Sequence, residues 1–73
     1  MENVENYIEN YEEKWNEVQI IVDSLRRDIS KNIGGNVSAG VRSRRGLRIL
    51  KNEITNLVKK SIIVDKARKE KLL

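Results

Sequence analysis

Residues 34–51 read GGNVSAGVRSRRGLRILK and contain all four glycines of the chain together with its densest run of arginine. They lie near the middle of the sequence, where one long periodic segment ends and a second begins. Gly34 or Gly35 can adopt the left-handed conformation that closes a helix, and Asn36 or Ser38 can cap the next one. This stretch predicts the bend of a helical hairpin whose second helix begins with arginines.

The arginines after the bend contradict a local preference. The N-terminal end of a helix carries partial positive charge and favours acids, yet no acid follows the bend until Glu53. Free backbone N–H groups and arginines at a helix N-terminus suit a phosphate. The alternative is that these side chains are solvated or paired with acids of the first helix. The first three turns carry Arg42, Arg44, Arg45 and Arg48.

The first segment, from about residue 2 to 32, has apolar residues at alternating steps of four and three. This spacing predicts a helix that packs along its whole length against other helices. A second apolar row widens the face beyond what one partner helix would cover, which favours a dimer of hairpins forming a four-helix bundle. The predicted core positions are Val4, Ile8, Tyr11, Trp15, Val18, Val22, Leu25 and Ile29.

The second segment, from about residue 38 to 70, continues the same heptad spacing, so a single domain of residues 1–73 is expected. Its first stripe positions are small, which lets the helix backbones approach near the bend (residues 33–37). Gly46 inside a helix costs about 1 kcal/mol relative to alanine, which points to a packing or ligand-approach reason. The stripe runs through Gly40, Ser43, Leu47, Leu50, Ile54, Leu57, Ser61, Val64 and Arg68, and its predicted core residues are Leu47, Leu50, Ile54 and Leu57.

Composition excludes several classes of function. The chain has 73 residues with no cysteine and no histidine, so disulfides and the usual zinc sites are excluded. Small scaffolds without such links often depend on oligomerisation. Apolar runs such as residues 62–64 are far short of a membrane span. We expect neither an enzyme nor a cofactor, metal or small-molecule site, and we expect a homodimer or tetramer in the cytoplasm.

The charge distribution is strongly asymmetric. Residues 1–33 carry a net charge of −4 and residues 34–73 a net charge of +8. An antiparallel hairpin would set the lysine-rich end (Lys59, Lys60, Lys66, Lys69 and Lys71) beside the glutamates of residues 2–17. The bend would stay uncompensated, because residues 26–51 hold eight bases and one acid, Asp28. This pattern suggests intramolecular matching, a polyanionic partner, or both.

The bend also resembles the short core of the bacterial histone H1-like proteins, the family typified by the chlamydial nucleoid-condensing histone. In that family a helical hairpin carries a bend of the form G-N-x-x-A-[GA]-x-R-x-R-[KR]. The resemblance implies a nucleoid-associated, sequence-independent DNA-binding protein that oligomerises through its helical core. It departs from members with a long basic C-terminal tail, because this sequence ends at Leu73. The matching residues are Gly35, Asn36, Ala39, Gly40, Arg42, Arg44, Arg45, Gly46, Leu47 and Leu50.

These observations favour non-specific binding to double-stranded DNA by phosphate contacts at the bend, with condensation of DNA by the oligomer. The expected location is the nucleoid, or a viral nucleoprotein for a viral chain. The alternatives are a coiled-coil protein-interaction adaptor with a basic tip and, third, docking on an anionic membrane surface. The predicted nucleic-acid-binding residues are Arg26, Arg27, Lys31, Arg42, Arg44, Arg45, Arg48 and Lys51.

Overall fold

A computed structural model describes residues 3–72 of the chain, with side chains through residue 70. It consists of two helices, α1 (Val4–Ile33) and α2 (Val37–Leu72), which pack against each other as an antiparallel hairpin. The body measures 56 × 16 × 14 Å, and the described part of the chain contains no strand. The predicted all-α hairpin is confirmed. The side chain of Asn3 caps α1 by accepting a hydrogen bond from the N–H of Asn6 at 3.1 Å.

The bend is a Schellman motif followed directly by a helix cap. The N–H of Gly35 donates to the carbonyl of Asn32, and the N–H of Asn36 donates to the carbonyl of Lys31, both at 3.0 Å. This is the pair of bonds that defines the motif, and Gly35 holds its left-handed position with φ of +103°. The side chain of Asn36 then accepts from the N–H of Ala39 at 2.9 Å. Of the alternatives left open by the sequence, Gly35 closes α1 and Asn36 caps α2.

The two neighbouring glycines give a matched test of this bend. Gly35→Ala is expected to destabilise the hairpin by about 1–2 kcal/mol, because a Cβ is strained in the left-handed conformation. Gly34 has φ of −80°, and a Cβ there would meet nothing closer than 3.5 Å. Gly34→Ala is therefore expected to be neutral or slightly stabilising. Urea unfolding measures both, and equal effects of the two substitutions would contradict the assigned geometry.

The line of contact between the helices is rotated by one position from the predicted heptad stripe. Alternate members of the stripe do lie in the contact, since Val18, Leu25 and Val64 are buried. The other members lie beside it, and Trp15 and Ile54 remain 49% and 45% exposed. Their places in the contact are taken by the preceding residues, such as Lys14 and Glu53. The half-buried residues of the contact are Val4, Tyr7, Tyr11, Lys14, Ile21, Asp28, Gly46, Leu50, Glu53, Leu57, Lys60 and Ala67.

Small residues bring the two helices close together near the bend. Ala39 and Ser43 are buried there, and the Ser43 hydroxyl donates to the carbonyl of Gly40 at 3.1 Å within its own helix. A Cβ on Gly46 would overlap the terminal carbon Cδ2 of Leu25. The glycine is thus explained by packing, because its bare backbone makes the space in which Leu25 is buried.

An ion pair lies within the contact line itself. The Lys14 ammonium donates to Glu53 of α2 at 2.6 Å and to Glu17 of its own helix at 2.8 Å. Hydrogen bonds to Glu17 and then Glu53 raise the pKa of Lys14 above its ordinary value. A charged pair between two packed helices fixes their register and orientation. The sequence did not predict this pair, because Lys14 and Glu53 both lie outside the predicted heptad stripe.

The expected matching of lysines with glutamates at the open end is only partly seen. Glu13 and Glu17 line one groove together with Lys59 and Lys60. Within the described residues, no side chain of the lysine-rich end forms an ion pair with these glutamates. The side chains of Glu2 and Lys71 lie outside the described residues. No helix in the described part of the chain has an apolar stretch of the length that a transmembrane span requires.

Candidate nucleic-acid interface

The basic residues of the bend project outward because the inner positions are occupied by small side chains. Ala39 and Ser43 fill the inner side of α2 there, and the space beside Gly46 is occupied by Leu25 of α1. The arginines of the same turns therefore lie on the outside, where they are exposed. The exposed members of the predicted set are Arg26, Arg27, Lys31, Arg42, Arg44, Arg45, Arg48 and Lys51.

Arg42 is the one predicted binding residue that pairs across the hairpin in the described structure. Its Nε lies 3.2 Å from both carboxylate oxygens of Asp28, and its Nη2 lies 3.0 Å from Oδ1. Such fork-shaped pairing is the strong form of the arginine–carboxylate interaction. For this residue the alternative reading, pairing with an acid of the first helix, is what the structure shows. Asp28 follows Ile21 by seven residues and Leu25 by three, so it lies on the same side of α1 as these apolar residues. This spacing was the signal in the sequence that Asp28 faces the second helix.

The pair also has a defined protonation behaviour. The hydrogen bond from Arg42 holds the pKa of Asp28 below its ordinary value, with smaller contributions from the charges of Arg42, Lys31 and Arg27. The carboxylate is therefore ionised at neutral pH. The stabilisation from the pair is fully present above the ordinary aspartate pKa, and it is lost as the pH falls through the lowered value. The ion pair between Arg42 and Asp28 therefore persists across the neutral pH range.

Arg26 is engaged within its own helix, with its Nε 3.2 Å from the Asp23 carboxylate. Both side chains are largely exposed, and exposed pairs of this kind contribute little. Among the residues that the structure describes, no carboxylate lies within ion-pairing distance of the six other predicted binding residues. Those six are Arg27, Lys31, Arg44, Arg45, Arg48 and Lys51.

Helical phase divides these bases between the two broad faces of the hairpin. The first face contains Ile8 and Trp15, which line one groove together with Arg68. The second contains Asn10 and Glu17, which line another groove together with Asn56 and Ile63. Positions seven residues apart share a face in packed helices. Arg26, Arg44 and Lys51 consequently lie along the edge of the first face, and Arg27, Lys31, Arg42 and Arg45 lie on the second. Arg48 lies on the outer side of α2, because it falls midway between the contact residues Gly46 and Leu50.

Backbone donors are also present at the bend. The Asn36 side chain uses the N–H of Ala39, and the N–H of Gly40 donates to the carbonyl of Asn36 at 3.2 Å. Among the bonds described, none uses the N–H groups of Val37 and Ser38. Both residues are exposed. The combination of free N–H groups and cations is the one that binds anions at helix N-termini.

Comparison of the chain with protein-family models, with curated proteins and with solved structures gave no match in any of the three. The site is accordingly defined by its own geometry. It is the tip of the hairpin, and it bears cations on both faces that have no ion-pair partner among the described residues.

Proposed function

We propose that this protein binds the phosphate backbone of double-stranded DNA, without sequence preference, through its arginine-rich bend. The observation that carries the proposal is the charge left at the bend once its internal pairs are counted. Residues 26–51 include eight bases, and the one acid among them, Asp28, is used by Arg42. Several free cations spread over both faces of the tip favour a polyanion over a small acidic ligand, because one small ligand could contact few of them at once.

The contacts available at the bend suit phosphates better than base edges. Arginines, lysines and helix N-termini are the groups that contact phosphates, and such contacts position a protein without reading sequence. Direct readout requires a helix or ribbon laid in the groove with bidentate side chains along one face. The free cations here lie on different faces of two helices, so few of them could reach the bases of one groove.

The proposal includes a homodimer that forms a four-helix bundle. In such a bundle each helix points its core residues between its two neighbours. The predicted stripe has this direction, because half of it is buried in the hairpin and the other half is open on one adjacent face. A second hairpin on that face would complete the burial of the stripe. The stripe residues on that face are the exposed Trp15, Val22, Leu47 and Ile54 and the half-buried Ile8 and Ile29.

The resemblance of the bend to histone H1-like proteins agrees with this function. The resemblance rests on the residues from Gly35 to Leu50, which are the residues that form the Schellman motif, the cap and the arginine turns. Binding by an oligomer would place more than one basic bend on DNA, which is the requirement for condensing it. Association with the nucleoid, or with a viral genome, follows as part of the same proposal.

The function is tested by titrating a fluorescent duplex of about 40 base pairs with the protein at several salt concentrations. If each bend neutralises about three phosphates, the slope of log affinity against log salt is near about −2.7 for a duplex held by one bend and near about −5 for a duplex held by both bends of a dimer. Duplexes of different sequence are expected to bind alike. Affinity that is insensitive to salt would contradict the proposal, and so would a strong preference for one sequence.

Replacement of Asp28 is expected to strengthen DNA binding. Asp28→Asn removes the one acid of the bend and releases Arg42, so it is expected to bind DNA about three- to tenfold more tightly at 0.1 M salt. Glu9→Gln, an equal change of charge at the exposed open end, serves as the control and is expected to have less effect. Circular dichroism establishes that both variants keep the helical hairpin. Unchanged or weaker binding by Asp28→Asn would place the DNA contact away from the bend.

A further inference from the structure

We propose that the open apolar face binds a second copy of this chain in antiparallel orientation, so that the two arginine-rich bends lie at opposite ends of the dimer. The inference rests on the homodimer of the proposed function and adds its geometry. Two arrangements place the same faces together around a two-fold axis. In the parallel one both bends lie at one end, and in the antiparallel one they lie at opposite ends.

The two faces of the hairpin differ in their apolar and polar side chains. Large apolar side chains form a continuous row on the first face, with Trp15 and Ile54 at its centre. The second face also exposes Ile20, Ile49 and Ile63, but its groove is lined mainly by polar residues such as Glu13 and Asn56. Because several of the free arginines also lie on the second face, the first face is the better suited to a partner of its own kind.

The dimensions of the open face match those of a stable interface. The hairpin is 56 Å long and 16 Å wide, so one face covers roughly 900 Å², close to the roughly 800 Å² per partner of a specific protein–protein interface. The hairpin itself buries few large side chains, among them Val18, Leu25 and Val64. A second copy supplies the missing half of the core along the whole length of the face.

Charged rows along both edges of the face select the orientation. On α1 the outer row begins with Glu5 at the open end and finishes with Arg26 near the bend. On α2 the outer row begins with Arg44 near the bend and finishes with Asp65 at the open end. In each helix the two ends of the row are 21 residues apart, and each row changes from acidic at the open end to basic at the bend.

The antiparallel arrangement pairs each row with its own copy running in the opposite direction. Glu5 then faces the partner's Arg26, and Arg44 faces the partner's Asp65. The midpoints of the two rows lie beside Trp15 and Ile54, and the ion pair between Lys14 and Glu53 shows that these points are at the same level of the hairpin. A single two-fold axis can therefore satisfy both rows at once.

The parallel arrangement sets like charges against each other. It places α1 over the partner's α2 with the bends side by side. Glu5 would then lie opposite the partner's Asp65, and Arg26 opposite the partner's Arg44. Opposed charges of one sign disfavour an interface, and the two bends would also repel. The same four residues thus favour one orientation and oppose the other.

The antiparallel dimer has a functional consequence. Its two bends lie about 55 Å apart, since each bend is about 18 residues from the centre at a rise of 1.5 Å per residue. Two duplexes of DNA can then be held at once, one at each end. The dimer would act as a short rod that bridges DNA segments.

A distance between the two bends tests the orientation without DNA. The sequence contains no cysteine, so Ser38→Cys provides a single exposed labelling site at the bend. Ser38 lies about 16 residues from the centre of the α2 row, so spin labels there are expected to be about 50 Å apart by double electron–electron resonance. A separation below about 20 Å, the spacing of neighbouring helices plus label length, would overturn the orientation. Absence of a dipolar signal in a protein that sediments as a monomer would overturn the second copy altogether.

A charge reversal gives an independent measurement of the same contact. Glu5→Arg is expected to raise the dimer dissociation constant about tenfold, since each dimer contains the contact twice. The double variant Glu5→Arg/Arg26→Glu is expected to restore it. Both values come from sedimentation equilibrium in the absence of DNA, so they are independent of the salt titration that tests DNA binding. Failure of the double variant to recover would overturn the proposed facing of these rows.

Discussion

Replacement of Arg27, Arg45 and Arg48 together by glutamine is expected to weaken DNA binding by about 10²–10³-fold at 0.1 M salt. Each lost phosphate contact removes about 0.9 from the slope of log affinity against log salt, so the slope becomes shallower by about 2.7 for each bend in use. These three residues are chosen because they are exposed and lie away from the open apolar face. Arg42 is already paired with Asp28, and Arg44 lies at the edge of that face.

The matched control removes the same charge from the other end of α2. Lys59, Lys66 and Lys69 are likewise exposed, and their replacement by glutamine lowers the charge of the chain equally. We expect this control to lose far less affinity, because the glutamates of α1 already surround that end. Equal losses in both triple variants would mean that binding reflects net charge alone. No loss in either variant would favour the alternative in which the hairpin is a protein-interaction adaptor with a basic tip.

The hairpin could be predicted from the sequence because its signals are local. Gly34, Gly35 and Asn36 occur in the order that closes one helix and caps the next. The uninterrupted spacing of apolar residues identified both helices, and their ends lie within about two residues of the prediction. Each of these signals depends on neighbouring residues, so no information about the folded partner helix was needed.

The exact contact line could not be predicted in the same way. A heptad stripe gives the direction of the whole apolar face, which for a four-helix bundle lies between two neighbouring helices. The contact inside one hairpin lies to one side of that direction. Lys14 and Glu53 are therefore inside the contact, although both are charged. Trp15 and Ile54 are outside it, although both are apolar.

The binding role of the bend stays a prediction, and the structure adds to it the pairing and placement of the bases. Charge counting on the sequence shows only that bases outnumber acids around the bend. It could not show that Arg42 pairs with Asp28, because that pair joins residues 14 positions apart across the bend. Nor could it divide the bases between the two faces, since this division depends on which side of each helix meets the other.

A charge placed on the open apolar face is expected to dissociate the dimer. Ile54→Glu is expected to raise the dimer dissociation constant at least a thousandfold, since an uncompensated buried charge costs about 3–5 kcal/mol and each dimer contains two. The hairpin by itself buries few large side chains, and small scaffolds often depend on oligomerisation for their stability. Loss of the dimer is therefore expected to lower the helical content and the Tm together. Sedimentation equilibrium and circular dichroism measure the two effects.

Ile63 supplies a closely matched control for this experiment. It is 44% exposed, against 45% for Ile54, and it lies on the same helix but on the second face. Ile63→Glu introduces the same charge at a site that stays in water in the dimer, so the dissociation constant and the Tm are expected to change little. If both variants dimerise equally well, the first face is not the dimer interface. If Ile63→Glu alone dissociates the dimer, the second face is the interface, and the arginines placed there are not free to bind DNA.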